Sequence, residues 1–238
     1  MSALGGDAHA AALKKFGDAH KNARAIVIVS AHWQLHGQIR ATSWDSAPLV
    51  YDFGGFPDEL YKLTYPAPGE PSLAARIPGA SPETRRGLDH GAWVPLRLAW
   101  PEARIPVVQV SLPAEGPEAA LALGRALRPL REEGVIVAGS GGIVHNLGLV
   151  HLSEKNSGID PWAADFDRWI AARVVSQDLE ALLAYQANAP DAALAAPTPE
   201  HFDPLFVTMG AALPDERPTK IYEGFHYGNL SMRSFFFG

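Results

Sequence analysis

Three short runs of aliphatic and β-branched residues constrain this fold more than any other feature. They are Arg24-Ala25-Ile26-Val27-Ile28-Val29-Ser30, Ile105-Pro106-Val107-Val108-Gln109-Val110-Ser111-Leu112 and Val135-Ile136-Val137-Ala138-Gly139-Ser140-Gly141-Gly142. Each is nearly continuous in apolar residues, as expected for a strand covered on both faces of a mostly parallel sheet. Segments with helical spacing alternate with them. Residues 8–20 read as a short amphipathic helix with Ala12, Leu13 and Phe16 near one face. Residues 117–132 read as a second, carrying Leu121, Leu123, Leu127 and Leu130 and closed by Gly134. Further helices are expected at 161–175, with Trp162, Phe166, Trp169 and Ile170 on one face, at 178–187, and at 199–212, the last opened by Pro199. Lys220–Glu223 and Ser231–Phe237 read as strands, and 44–72, rich in proline and aromatics, as an ordered loop. The alternation predicts an α/β sandwich with a mostly parallel or mixed central sheet and helices on both faces. With no repeat, low-complexity tract or linker, residues 1–238 read as one domain.

Composition narrows the chemistry. The formal net charge is −6, a poor match to non-specific nucleic-acid binding, which depends on Lys and Arg. There is no cysteine, so thiolate catalysis, disulfides and cysteine-based metal sites are excluded, whereas nine histidines remain. No apolar stretch reaches the length of a transmembrane helix, and the first residues lack the pattern of a signal peptide, so a cytoplasmic location without membrane partners is expected.

Ligands of open α/β sheets gather beyond the carboxyl ends of the strands. Three segments fall there: Ser30-Ala31-His32-Trp33, the glycine-rich turn running into Val144-His145-Asn146, and Leu88-Asp89-His90-Gly91-Ala92-Trp93. Histidines converging from distant segments suit a metal site or acid–base chemistry. A lone histidine at a strand end is more often a packing residue, so convergence is what has to be shown. The turn Gly139–Gly142 lacks the lysine of a phosphate loop, and neither Ser30 nor Ser140 lies in a nucleophile elbow. His9, His20, His36 and His151 have polar neighbours and read as surface residues, and Trp162, Phe166 and Trp169 read as core.

The segments Ser30-Ala31-His32-Trp33, Asp52-Phe53-Gly54-Gly55-Phe56-Pro57, Tyr65-Pro66-Ala67-Pro68-Gly69, Leu88-Asp89-His90-Gly91-Ala92-Trp93, Val144-His145-Asn146-Leu147, Pro197-Thr198-Pro199-Glu200-His201 and Gly228-Asn229-Leu230-Ser231-Met232 follow one another along nearly the whole chain. In this order they resemble the DODA-type extradiol aromatic ring-opening dioxygenases, the class III group related to the catalytic subunit of protocatechuate 4,5-dioxygenase. The resemblance implies that His32 and His201 are metal ligands, that His145 is the catalytic base or a further ligand, and that His90 contacts substrate. It implies Fe(II) for activity, with Zn(II) as another bound metal, and a catechol and O₂ as small-molecule partners. In the family a first strand and an H-G-S-P motif, whose histidine is the remaining ligand, precede the segment that begins here. This sequence has neither, so the expected fold has its first strand missing, and the chain is expected to be an N-terminally shortened form.

The leading expectation is a metal-dependent extradiol dioxygenase acting on a catechol. The alternatives are a zinc hydrolase or lyase using the same histidines, and an inactive shortened family member. Tyr51, Phe53, Phe56 and Tyr227 are candidates for an aromatic pocket, with His226 beside them.

Overall fold

A computed structural model describes residues 5–238. Helix α1 (Ala8–Ala19) leads into β1 (Ala25–Leu35) and β2 (Ile39–Thr42). Then come α2 (Pro71–Ala74), β3 (Ala80–Glu83), α3 (His90–Ala99), β4 (Val107–Pro113), α4 (Pro117–Leu127) and β5 (Val135–Ser140). The second half holds α5 (Pro161–Ser176), α6 (Leu179–Leu183), α7 (Tyr185–Asn188), α8 (Ala192–Ala195) and α9 (Pro204–Ala211). It ends in β6 (Pro218–Tyr222), β7 (Phe225–His226), β8 (Leu230–Ser231) and β9 (Ser234–Phe237). The central sheet has the order β3-β2-β4-β1-β5. β1 is parallel to both β4 and β5, with Ile26 opposite Val107 and Ala25 opposite Val135, whereas β2 runs antiparallel to β4. This is the mostly parallel α/β arrangement expected from the three runs.

The reason is visible in the burial. Ala25, Val27 and Val29 of β1 face a core shared with α4, α5 and α9, and Ile26 and Ile28 face a second core built on α1 and α3. All five are at most 2% exposed. Burying each valine or isoleucine on such a face contributes roughly 1.5–3 kcal/mol, so the β1 run is stable only with a helical layer on each side.

Several boundaries differ from expectation, among them the strand expected at Ser231–Phe237, which is divided into β8 and β9. β1 continues through His32 to Leu35, because Ala31 and Trp33 alternate inward as a strand requires. Its register against β4 shifts between Val29 and Gln34, a bulge that re-aims the residues between. The helix expected from Pro199 begins at Pro204, since a proline at the sixth position of a helix lacks the N–H that a first-turn carbonyl needs. The 178–187 helix is divided into α6 and α7, and β2 and β3, short and largely polar, escaped the sequence pattern. His9 is buried, at 8% exposure, rather than on the surface: the β6–β9 hairpin folds over α1 and sets Tyr222 5.2 Å from its ring, a long-range contact that its sequence neighbours do not reveal.

β5 closes the sheet on one side. Among the described residues no strand pairs with its outer edge. A cavity of about 910 Å³ runs along that edge and opens at the histidines described next. No helix among the described residues is long and apolar enough to cross a membrane.

Candidate metal centre and active site

Four elements bring four imidazoles together at the carboxyl end of the sheet. β1 carries His32; α3 begins at His90; the loop after β5 carries His145; and the turn before α9 carries His201. The ring centre of His32 lies 4.1 Å from that of His90 and 5.1 Å from that of His201, and His145 stacks on His201 at 3.6 Å. The predicted convergence of His32, His145 and His201 is therefore present, with His90 included.

Local chemistry sets each position. Asp89 caps α3, accepting from the Ala92 amide at 3.0 Å, which fixes where the His90 turn starts. Arg86 Nη2 donates to the other Asp89 oxygen at 3.1 Å and to the His32 carbonyl at 2.9 Å, tying the helix start to the strand. The Gly142 amide donates to the His201 carbonyl at 2.7 Å and the His145 amide to the Ala195 carbonyl at 2.9 Å. Two glycines permit the close approach. A Cβ on Gly91 would overlap Ser30 Oγ and come within 2.9 Å of His32 Cδ2, and one on Gly141 would overlap the His201 carbonyl oxygen.

Sequence reasoning gave Asp52 no role, although it opens the Asp52–Pro57 segment. Asp52 Oδ1 accepts from the His90 amide at 2.9 Å and lies 2.8 Å from His90 Nδ1, while Oδ2 is 3.7 Å from His32 Nδ1. Partial burial works against its charge, but the hydrogen bonds from His90 prevail and hold the carboxyl down at about 2. An ionised Asp52 accepts the Nδ1 proton of His90 and leaves Nε2 as the proton-accepting nitrogen. An acidic residue heading an aromatic, glycine-containing loop was the only signal that pointed to it.

Burial, then the neighbouring imidazoles, pushes His32 and His145 down to about 4, and burial lowers His201 as well. At neutral pH these three rings are proton-free, the state that ligates metal or accepts a proton. The sign for stability follows. Above the ordinary imidazole value of 6.5 the shifts contribute nothing; below it the unfolded chain takes up protons that the folded site refuses. The metal-free protein is expected to lose stability as pH falls from about 6.5 towards about 4, the range over which His32 and His145 would otherwise take up protons. Urea unfolding midpoints measured across that range check this; a flat profile would refute it.

The residues fit a divalent cation. One donor atom each from His32, Asp52 and His90 lies within 4.8 Å of the others. The Nε2 atom of His201 is buried without a hydrogen-bond partner, a cost of about 1–3 kcal/mol for a polar atom with nothing to bind. All donors are imidazole or carboxylate, a set open to iron, zinc or manganese. Beside them stands an aromatic wall: Phe53 is 5.4 Å from the His90 ring, and Tyr51, Phe56 and Tyr61 surround Phe53. Of the other candidates, His226 is buried beside Asp7 and the His9 ring, and the Tyr227 amide donates to the Lys155 carbonyl.

A histidine-rich centre at the strand ends of an α/β sandwich, flanked by aromatic rings, is the arrangement of a candidate metal-binding active site. Residues 8–238 match the family described as the catalytic LigB subunit of aromatic ring-opening dioxygenase, and the chain belongs to that family. Among its relatives, a 4,5-DOPA dioxygenase extradiol of Beta vulgaris is 41% identical over 91% of this chain and 84% of its own length. Its Escherichia coli K12 namesake is 37% identical over 98% and 89%. A crystal structure of an uncharacterized Escherichia coli K12 protein superposes with a TM-score of 0.82 at 32% identity, covering 98% of this chain and 93% of that one. The family and enzyme class implied by the motif order are thereby borne out.

Proposed function

We propose that this enzyme opens the ring of a catechol beside its two hydroxyls, incorporating both atoms of O₂ and yielding a semialdehyde. The observation that carries the reading is the meeting of His32, His90, His145 and His201 at one point beside the Phe53 wall. His32 and His201 would hold the metal. Bound there, Fe(II) would bring diol and O₂ together, acidify the diol and pass electron density between them, which Zn(II), without a redox change, would not.

The chain's own groups supply the rest. Proton-free His145 takes a hydroxyl proton from the catechol and later returns it as an acid. Asp52 fixes His90 so that its Nε2 faces the ring's polar edge. Phe53 and Tyr51 offer a flat apolar surface that orients the ring and excludes water. The names of the relatives make dihydroxyphenylalanine the first catechol to try.

The deciding experiment is anaerobic loading with Fe(II) or Zn(II), followed by catechol and O₂. One O₂ consumed per yellow ring-fission product with iron, and none with zinc, is expected. Turnover of esters or other hydrolysable substrates by the zinc form, without O₂ uptake, would favour the hydrolase alternative. In Asp52→Asn, kcat/KM is expected to fall roughly 10–100-fold, the usual cost of losing a histidine's orienting partner, and metal affinity is expected to weaken, because Asp52 is one of the clustered donors. A changed pH–rate profile for this variant separates orientation from mere packing.

A further inference from the structure

We propose that Asn229 is a positioning residue for His145: its side-chain amide holds the carbonyl at which the turn after His145 ends, and so fixes where that imidazole stands. The segment between β5 and α5 contains no helix or strand. Leu147, Leu149, Leu152 and Ile159 on it are exposed. Apolar burial therefore contributes little to its shape, and hydrogen bonds have to set it. Asn146 Nδ2 donates to the Leu194 carbonyl at 2.8 Å, and its Oδ1 accepts from the Gly148 amide at 3.0 Å. The Leu149 amide closes the turn on the Asn146 carbonyl at 3.2 Å. The Leu149 carbonyl, four residues beyond His145, then accepts from Asn229 Nδ2 at 2.6 Å.

Asn229 sits at the tip of the β7–β8 hairpin, in the turn Tyr227-Gly228-Asn229. Tyr227 and Gly228 have positive φ, 54° and 83°, and a Cβ on Gly228 would come within 2.5 Å of His151 Cδ2. The tip is bonded along the segment. The Tyr227 amide donates to the Lys155 carbonyl at 2.8 Å, the Tyr227 carbonyl accepts from the His151 amide at 2.9 Å, and the Gly228 carbonyl accepts from the Asp160 amide at 2.9 Å. The hairpin has its own anchor in α5. Ser231 Oγ donates to Asp167 Oδ1 at 2.6 Å and Arg233 Nε to Asp167 Oδ2 at 2.9 Å, and Asp167 is buried. Asn229 itself is fully buried, and its Nδ2 also donates to Asp160 Oδ2 at 3.1 Å. Both partners are acceptors, so the amide turns its NH₂ towards them and leaves Oδ1 buried without a partner. Packing alone gives no reason to strand that oxygen; the two donated bonds do.

The proposal rests on reading His145 as the base, and its test separates the two. Asn229→Leu keeps the volume and removes both donors. In the Fe(II)-loaded protein its kcat is expected to fall roughly 10–100-fold, up to the scale reached when a reacting group is misplaced by about 1 Å, with KM and metal content near those of the parent. In a His145→Ala background the same substitution is expected to leave the residual turnover unchanged, because the group it positions is gone. In the metal-free protein, exchange of the His145 amide is expected to quicken roughly tenfold, while the Gly142 amide, bonded to His201, keeps its rate. Asp160→Ala retains the Leu149 bond and removes the second acceptor. It is expected to show the same pattern at smaller amplitude, and it carries the test if Asn229→Leu does not fold. Equal proportional losses in both backgrounds, or an unchanged His145 amide, would overturn the proposal. Parental turnover in His145→Ala would remove the base reading alone, and the amide exchange then decides whether Asn229 positions that residue.

Discussion

His201→Ala is expected to lower metal affinity by more than about 100-fold and to bring ring opening below detection, while the metal-free fold barely weakens. Loss of an outer partner of a metal ligand typically costs about 10–100-fold in affinity, and loss of a ligand costs more. The stability half of the prediction rests on a balance. Truncation removes the 3.6 Å stacking on His145, worth about 0.5–1.5 kcal/mol by analogy with aromatic pairs. It also removes a buried Nε2 that has no partner, relieving about 1–3 kcal/mol. His145→Ala makes the contrast. If His145 is the base, metal content stays near that of the parent and turnover falls about 10²–10⁴-fold. Metal content by elemental analysis and unfolding of the stripped proteins check both. A His201→Ala protein that keeps one tightly bound metal per chain would remove His201 from the centre.

Asp89→Ala is expected to cost about 3 kcal/mol of stability, at the lower end for breaking a buried ion pair. Asp89 is fully buried and serves three partners at once: the Ala92 amide, the Gln109 side-chain amide and the Arg86 guanidinium. The cap alone is worth about 1 kcal/mol. The remainder comes from Gln109, itself fully buried and left half-paired, and from Arg86, whose partial exposure lets water take over part of its bonding. For a chain of this size the melting temperature should fall by about 6–12 °C. Asp89→Asn keeps the cap oxygen and should lose roughly half as much. Because Arg86 also holds the His32 carbonyl, activity should drop in Asp89→Ala even at temperatures where the protein is folded.

The central strands were legible because residues buried on both faces leave an unbroken apolar run, and α1 and α4 because their apolar residues recur with helical spacing. His32, His90, His145 and His201 were legible only as an ordered set of motifs; no local pattern separates His32 from a packing histidine. Short, polar β2 and β3 escaped because their pairing depends on partners distant in sequence. Asp52 escaped for a related reason: its role exists only once the 44–63 loop folds across to α3. His9 was misjudged because its cover arrives from β6, some two hundred residues downstream in sequence.

That loop has a particular tether. Isolated bridges join Ser46 to Pro68 and Leu49 to Leu88, so the loop is closed at its base and tied to the residue before Asp89, while Phe53 and Phe56 ride on the stretch between Leu49 and Pro68. His32, by contrast, sits on a strand inside the sheet. Phe53 and Phe56 can thus be exchanged singly, altering the apolar wall beside His90, whereas Asp52 on the same stretch holds that histidine and cannot be spared.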